Sequence, residues 1–234
     1  MANVDVEKVL SLHKRPIWLA SWPRSGNTMF RIAAKHYYGI GSISVYPEGT
    51  QCSERPDLVR QAYDFYPEPN DEIVLVKTHD FETQRIPTIL LTRDGREATL
   101  SYAFFLRDHV QANNAQTLDQ GLKMALTYGE GRMPRTWALF HEEWLQVPHV
   151  RADYKTLVQY PAELVGQAIS AALGENVERI TDEPMPTFEE LHAKRPSFFR
   201  RGKASFQREA YPEPKLRLFW STHHYMMKRL GYTR

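Results

Sequence analysis

The chain has 234 residues, of which 42% are hydrophobic and 25% charged, and its formal net charge is +2. This length and composition are typical of a soluble globular protein with one sizeable core, and they predict a single domain over residues 1–234. A net charge so close to neutral argues against general nucleic-acid or membrane binding. Any anion site must therefore be made by local clustering of cations.

Cysteine usage and apolar runs bear on the cellular compartment. Cys52 is the only cysteine, so no disulfide can form within the chain, which favours a reducing environment. The N-terminal stretch MANVDVEKVL lacks the apolar region of a secretory signal. Apolar runs such as Ile73–Val76 are much too short to span a bilayer. We therefore expect a cytoplasmic protein that is not attached to a membrane.

Strands and helices are predicted to alternate along the chain. Unbroken apolar runs indicate buried strands at 17–21, 72–79 and 87–92, and a weak strand is expected within 147–154. Apolar periodicity and helix-boundary residues predict helices at 6–12, 28–38, 94–106, 117–128, 135–146, 161–173, 187–193 and 214–230. Residues 39–70 predict long loops with one short helix near 58–63, residues 108–116 predict a polar loop, and 196–212 show no clear periodicity. This order favours an α/β fold with a central, mainly parallel β-sheet flanked by helices.

The segment Ser21–Arg31, SWPRSGNTMFR, connects the first predicted strand to the following helix. A strand, a tight turn with glycine and a helix form a P-loop-like anion cradle, because the first helical turn has unpaired N–H groups and the positive end of the helix dipole. Arg24 adds a full charge, and Gly26 lets the backbone close around a ligand. The segment lacks both the first glycine and the lysine of the ATP-binding pattern G-x-x-x-x-G-K-[ST].

The motif Pro23-Arg24-Ser25-Gly26-Asn27-Thr28 instead resembles the 5′-phosphosulfate loop of the PAPS-dependent sulfotransferases. PAPS is 3′-phosphoadenosine 5′-phosphosulfate, and PAP is its desulfated product. Further segments match the order and spacing of this family: Lys77-Thr78-His79, Arg93 with Ser101 eight residues later, Asp153-Tyr154 with Leu157 and Pro161, Thr187-Phe188, and Phe198–Gly202. The chain is thus identified as a member of this family, similar to its cytosolic and bacterial small-molecule enzymes.

The resemblance implies a role for each matching residue. His79 is the expected general base, and Lys77 and Arg24 are expected to stabilise the transferring group. The implied donor-binding residues are Arg24, Ser25, Gly26, Asn27, Thr28, Met29, Arg93, Ser101, Tyr154, Phe188, Phe199, Arg200, Arg201 and Gly202. For Tyr154, simple core packing remains an alternative. Fixed cations suffice for the expected chemistry and the sequence has no metal-binding motif, so we expect no metal.

Some positions depart from the family. Met29 stands where the family often has a tryptophan beside the adenine, which predicts a looser adenine site. After Gly202, the residues Lys203–Gln207 do not follow the family pattern. The K-x3-T-V-x3-E stretch through which many cytosolic members form dimers is missing, so the oligomeric state stays open.

The expected reaction is transfer of a sulfuryl group from PAPS to a hydroxyl or amine of a small molecule, with a secondary metabolite as the favoured acceptor. Residues 40–70 and 103–135 are expected to line the acceptor pocket with the aromatic residues Tyr46, Tyr63, Phe65, Tyr66, Phe104 and Phe105. Two alternatives remain. An ATP-dependent small-molecule kinase is disfavoured by the missing lysine, and a non-catalytic nucleotide-binding protein would need no base at a strand end.

Overall fold

A five-stranded sheet lies at the centre of the computed structural model, which describes residues 6–11, 14–46, 64, 66–68, 71–109, 117–127, 135–194 and 208–232. The strands are β1 (Arg15–Ser21), β2 (Gly41–Ser44), β3 (Ile73–Thr78), β4 (Thr88–Thr92) and β5 (Val150–Asp153). Their order is β2-β3-β1-β4-β5, and each pair of neighbours is parallel. The predicted α/β class with a mainly parallel sheet is confirmed.

Helices cover both faces of this sheet. They are α1 (Val6–Ser11), α2 (Asn27–Tyr38), α3 (Gly95–His109), α4 (Leu118–Thr127), α5 (Trp137–Trp144), α6 (Tyr154–Gln159), α7 (Pro161–Leu173), α8 (Phe188–Lys194) and α9 (Glu213–Arg229). A single 3₁₀ turn at Arg208–Ala210 precedes α9. In the part of the chain that the structure describes, no helix is both long and apolar enough to cross a bilayer.

Alternate residues of the central strand β1 enter two separate hydrophobic cores. Ile17 and Leu19 pack with α2 and α7 on one face of the sheet. Trp18 and Ala20 pack with α3, α4, α5 and α9 on the other face. A strand buried on both faces has no polar side, which explains the unbroken apolar runs in the sequence.

Strand β2 lies where the sequence predicted only loops. Its four residues, Gly41–Ser44, contain no apolar run, so the pattern that revealed the other strands is missing here. The strand is held by parallel pairing with β3 and by the buried side chain of Arg31. Arg31 Nε donates to Ser42 Oγ at 2.6 Å, and Nη2 donates to the Ser42 carbonyl at 3.4 Å. The helix expected near 58–63 lies outside the described residues.

The short helix α6 is a second difference from the prediction. Strand β5 ends at Asp153, whose carboxylate accepts hydrogen bonds from the backbone N–H groups of Lys155 at 2.8 Å and Thr156 at 3.4 Å. This cap starts α6 directly after the strand. The helix ends before Pro161, because a residue that precedes proline disfavours helical geometry.

The parallel strands bring distant segments to one edge of the sheet. Ala20 of β1 is in register with Thr78 of β3, and Thr92 of β4 is in register with Asp153 of β5. The four strands therefore end side by side, and the residues that follow them gather at the carboxyl edge. Open parallel sheets bind ligands at this edge.

Candidate active site

The loop between β1 and α2 has a backbone that closes tightly. Arg24 adopts a left-handed φ of 64°, and Gly26 adopts a φ of 100°. For a residue with a side chain this conformation costs about 1–3 kcal/mol, and such strain clusters at ligand sites. A Cβ atom on Gly26 would lie only 2.7 Å from Cδ2 of Tyr154, so glycine is required where the loop packs against α6. Gly26 is also the N-cap of the helix α2 that follows, and it has no side chain with which to cap it.

Ser25 is fully buried in this loop, and its hydroxyl is not satisfied. Within the described part of the chain, no hydrogen-bond partner lies within reach of Ser25 Oγ. Buried polar atoms are nearly all paired in native proteins, so an unpaired hydroxyl in an anion loop suits a ligand that can accept its hydrogen bond. An anion bound against the first turn of α2 would supply that partner. The loop thus fits a phosphate or sulfate group.

Two arginines from separate segments, Arg24 of the loop and Arg93 beside it, lie close together. The Arg93 guanidinium, which follows β4, donates from Nη1 to the Arg24 carbonyl at 2.8 Å and lies 4.1 Å from the centroid of the Tyr154 ring. Arg24 Nε lies 3.5 Å from Ser101 Oγ, at the limit of a hydrogen bond. The structure therefore brings together four residues that the sequence separates by up to 130 positions.

Glu97 balances part of this charge. Its carboxylate forms an ion pair with Arg93 Nε at 3.2 Å, and both side chains are only 11% exposed. Burial raises the pKa of Glu97, and the neighbouring Arg93 opposes that rise. Sequence reasoning did not assign Glu97 a role, although its i, i+4 spacing from Arg93 predicts a pair on one helix face.

His79 lies at the end of β3 and is nearly buried, with 7% of its surface exposed. Its Nδ1 lies 2.6 Å from the Ser21 carbonyl, and its backbone N–H donates to the Tyr46 hydroxyl. The Tyr46 ring stacks on the imidazole at 6.0 Å between centroids. Among the residues that the structure describes, none is hydrogen-bonded to Nε2.

The surroundings of His79 keep its imidazole neutral. Burial lowers the pKa of His79 to about 3, and the positive charge of Lys77 is the next cause. Lys77 is itself nearly buried and lies on β3, two residues before His79. A neutral imidazole with an unpaired ring nitrogen can accept a proton.

The remaining predicted residues are placed as follows. Asn27 does not point along the loop but inward, where its Nδ2 donates to the Leu19 carbonyl and to Ser21 Oγ. Met29 packs on the core under α2. Phe188 begins α8 and stacks on His192 at 5.8 Å. Thr28 is half-buried in the first turn of α2. Phe199, Arg200, Arg201 and Gly202 lie outside the described residues.

No family model and no curated protein matches the sequence. Among solved structures, the chain is similar to mouse sulfotransferase SULT7A1 complexed with PAP, with a TM-score of 0.65 and 15% identity over 97% of this chain and 91% of that one. The chain has a sulfotransferase fold. It is also similar to retinol dehydratase in complex with androsterone and PAP, with a TM-score of 0.56 and 15% identity over 94% of this chain and 82% of that one. A complex of retinol dehydratase with retinol and PAP gives a TM-score of 0.56 at 14% identity.

In this sulfotransferase fold, the strained loop, the arginine cluster and the neutral histidine all lie at the carboxyl edge of the sheet. The set can hold an anion through Arg24 and Arg93 and can accept a proton at His79 Nε2. Among the described residues, no group of three His, Cys, Asp or Glu side chains is placed to hold a metal ion.

Proposed function

We propose that this protein transfers a sulfuryl group from PAPS to a hydroxyl or amine of a small molecule. One observation carries the proposal: the loop with the unpaired Ser25 hydroxyl and the neutral His79 lie at the same edge of the sheet. Ser21 contacts both, through Asn27 at the end of the loop and through Nδ1 of His79. The similarity to folds crystallised with PAP supports it.

The donor would be held at both of its phosphate ends. Ser25 Oγ has no partner in the described chain, and helix geometry leaves the N–H groups of the first turn of α2 unpaired, so both suit the 5′-phosphosulfate. Arg93 and Ser101 suit the 3′-phosphate, and the flat faces of Tyr154 and Phe188 suit the nucleoside. Arg200 and Arg201 would complete the 3′-phosphate site. Arginine serves such a site well because its guanidinium can donate two parallel hydrogen bonds.

The transfer requires a base, a pair of cations and an oxyanion leaving group. Bound PAPS supplies an activated sulfuryl group. His79 Nε2 takes the proton of the acceptor hydroxyl while the acceptor oxygen bonds to sulfur and the bond from sulfur to the 5′-phosphate oxygen breaks. The electron pair of that bond stays on PAP. Lys77 and Arg24 stabilise the negative charge that spreads over these oxygens, so we expect no requirement for a metal ion.

The acceptor is proposed to be a compact molecule with apolar surface, such as a secondary metabolite. Tyr46 lies against His79, and Phe105 lies 5.5 Å below the Arg24 guanidinium, so aromatic side chains border the reacting edge. Retinol dehydratase, which has a similar fold, was crystallised with androsterone and with retinol. We propose a cytoplasmic enzyme with neither nucleic acid nor a membrane as partner.

Calorimetric titration with PAP and with ATP tests the donor, and release of PAP from PAPS tests turnover with a panel of alcohols and amines. We expect PAP to bind much more tightly than ATP and turnover to survive excess EDTA. Tighter binding of ATP, or activity that is lost with EDTA and restored by Mg²⁺, would favour the kinase alternative. Binding of PAP without turnover of any acceptor would favour the non-catalytic one.

A further inference from the structure

Ser21, the last residue of β1, offers two oxygen atoms to the same nitrogen of His79. The Ser21 carbonyl lies 2.6 Å from Nδ1, and Ser21 Oγ lies 3.3 Å from it. A carbonyl oxygen can only accept a hydrogen bond, so the proton of the neutral imidazole must be on Nδ1. The lone pair is then on Nε2, the nitrogen that has no partner among the described residues.

Asn27 forms a hydrogen bond to the side chain of Ser21. Its Nδ2 donates to Ser21 Oγ at 3.1 Å and to the Leu19 carbonyl at 3.3 Å, and the side chain is 6% exposed. The amide orientation is fixed by chemistry, because a flip would place Oδ1 against the carbonyl oxygen of Leu19. Asn27 is also the first residue of α2, directly after Gly26 of the anion loop. The loop and the histidine are therefore joined through two side chains.

We propose that Asn27 and Ser21 are positioning residues that hold His79 in the Nδ1–H tautomer, with Nε2 free to accept a proton, and that link this orientation to the loop that binds the donor. The catalytic consequence rests on the proposed sulfuryl transfer. The tautomer itself does not, because its partners lie within the chain.

The same contacts act after the proton has moved. An imidazolium donates from both nitrogens, and its Nδ1–H bond to the Ser21 carbonyl becomes charge-assisted and stronger. Asn27 holds Ser21 Oγ at 3.3 Å from Nδ1, which is long for a hydroxyl donor, and its removal lets the Ser21 side chain rotate toward Nδ1 and donate to it. That contact favours the opposite tautomer, in which Nε2 carries the proton and cannot act as a base.

The decisive experiment is ¹⁵N NMR of the full chain labelled at histidine, without donor or acceptor, at neutral pH. His79→Gln assigns the His79 signals. The wild type should show the Nδ1–H tautomer alone, and an Nε2–H signal for His79 would overturn the proposal. Asn27→Ala should introduce the second tautomer, whereas Ser21→Ala should keep the Nδ1–H tautomer, because it leaves the Ser21 carbonyl in place and removes the hydroxyl that would donate to Nδ1. The double variant should resemble Ser21→Ala, because the second tautomer requires the Ser21 hydroxyl and the two changes are therefore not additive.

A matched control separates positioning from stability. Thr88 is a buried hydroxyl at the other end of the sheet, where it donates to the Ile86 carbonyl at 3.1 Å. Thr88→Val removes a comparable hydrogen bond and should leave the His79 signals unchanged. Asn27→Ala signals identical to those of Thr88→Val would overturn the role of Asn27. Should Asn27→Ala fail to fold, Asn27→Ser and the wild-type spectrum still decide the result.

Turnover adds the functional half of the test. Asn27→Ala should lower kcat by roughly 10–100-fold, the effect typical of a partner that orients a functional histidine in metal sites. Its PAP affinity should fall much less than its kcat. If PAP does not bind to the wild type at all while the tautomer is as expected, the proposed function fails and the positioning of His79 stands. If the protein transfers the sulfuryl group but His79 is in the Nε2–H tautomer, the positioning of His79 fails and the proposed function stands.

Discussion

Arg93 lies with its guanidinium carbon 4.1 Å from the centroid of the Tyr154 ring. The same guanidinium is bonded to Glu97 on one edge and to the Arg24 carbonyl on another. A stacked and doubly bonded guanidinium is held in one orientation. It has five N–H donors in total, so others are left to meet a phosphate.

Arg93→Ala should weaken PAP by about 1.5–3 kcal/mol, the range for a hydrogen bond to a charged group. The affinity for adenosine 5′-phosphate, which lacks the 3′-phosphate, should fall much less. Calorimetric titration measures both affinities. Arg96→Ala is the matched control, since Arg96 lies three residues after Arg93, in the first turn of α3, and forms an ion pair of its own with Asp94 at 2.6 Å. It should leave the PAP affinity nearly unchanged. Equal losses for both nucleotides in Arg93→Ala would remove Arg93 from the 3′-phosphate site.

Gly26 and Gly174 form a natural pair for testing the tight loop. Both have a left-handed φ, 100° and 72°, but a Cβ on Gly26 would meet Tyr154 at 2.7 Å while one on Gly174 meets nothing within 4 Å. Gly174→Ala should therefore cost only the conformational strain, about 1–2 kcal/mol. Gly26→Ala should cost more, because the loop must also move away from Tyr154. Chemical denaturation measures both variants.

The displaced loop should also bind the donor poorly. We expect PAP affinity to fall by roughly tenfold or more in Gly26→Ala, since small shifts of positioned groups have large effects. Gly174→Ala should bind PAP like the wild type. Wild-type PAP affinity in a folded Gly26→Ala protein would show that the anion is not held by this loop.

The sequence allowed most of the sheet to be predicted, and the reason is physical. Strands β1, β3 and β4 are buried on both faces, so each is an uninterrupted apolar run. Strand β2 has no such run, since Gly41 and two serines make up most of it, and its stability comes from contacts with Arg31 and β3. Such tertiary contacts leave no periodic pattern in the sequence.

The same limit applies to the site. The resemblance to the sulfotransferases placed Arg24, Gly26, Arg93 and Tyr154 in one site, and parallel strands that end at one edge agree with that placement. The direction of a side chain could not be predicted. Asn27 turns toward β1 because it begins α2 on the face that packs against the sheet. Tyr46 comes directly after β2, the strand that the sequence did not predict. Its contact with His79 therefore could not be predicted either.

His79→Ala should leave PAP affinity nearly unchanged and lower kcat by about 10²–10⁴, the usual range for loss of a general base. His79→Asn should not restore activity, because an amide does not take up the proton. The pH profile gives a second measurement. Since the pKa of His79 is lowered to about 3, kcat/KM of the wild type should show no acid limb centred on the ordinary histidine value of about 6.5. Near-normal turnover of either variant would make His79 structural.

A pair of buried histidines on α5 and α9 predicts how stability depends on pH. His141 of α5 and His223 of α9 are both fully buried. In the described part of the chain, His141 Nε2 and both nitrogens of His223 have no hydrogen-bond partner. Burial lowers the pKa of His223 to about 4, and it lowers that of His141 to about 3 against the opposing hydrogen bond to the Trp137 carbonyl. Other charges that act on His141 come from Arg151 and His223 itself.

The sign of the effect follows from these lowered values. Below about pH 6.5 the unfolded chain binds a proton at each histidine that the folded chain does not, so stability is full above that pH and falls on acidification. Each histidine contributes up to about 1.4 kcal/mol per pH unit between 6.5 and its folded value. His223→Phe should therefore reduce the acid slope of the free energy of unfolding measured in urea between about pH 6.5 and 4.5. His224→Gln, at the next and exposed position of α9, should leave that slope unchanged. An acid slope that is equal in His223→Phe and the wild type would show that His223 is protonated in the folded protein.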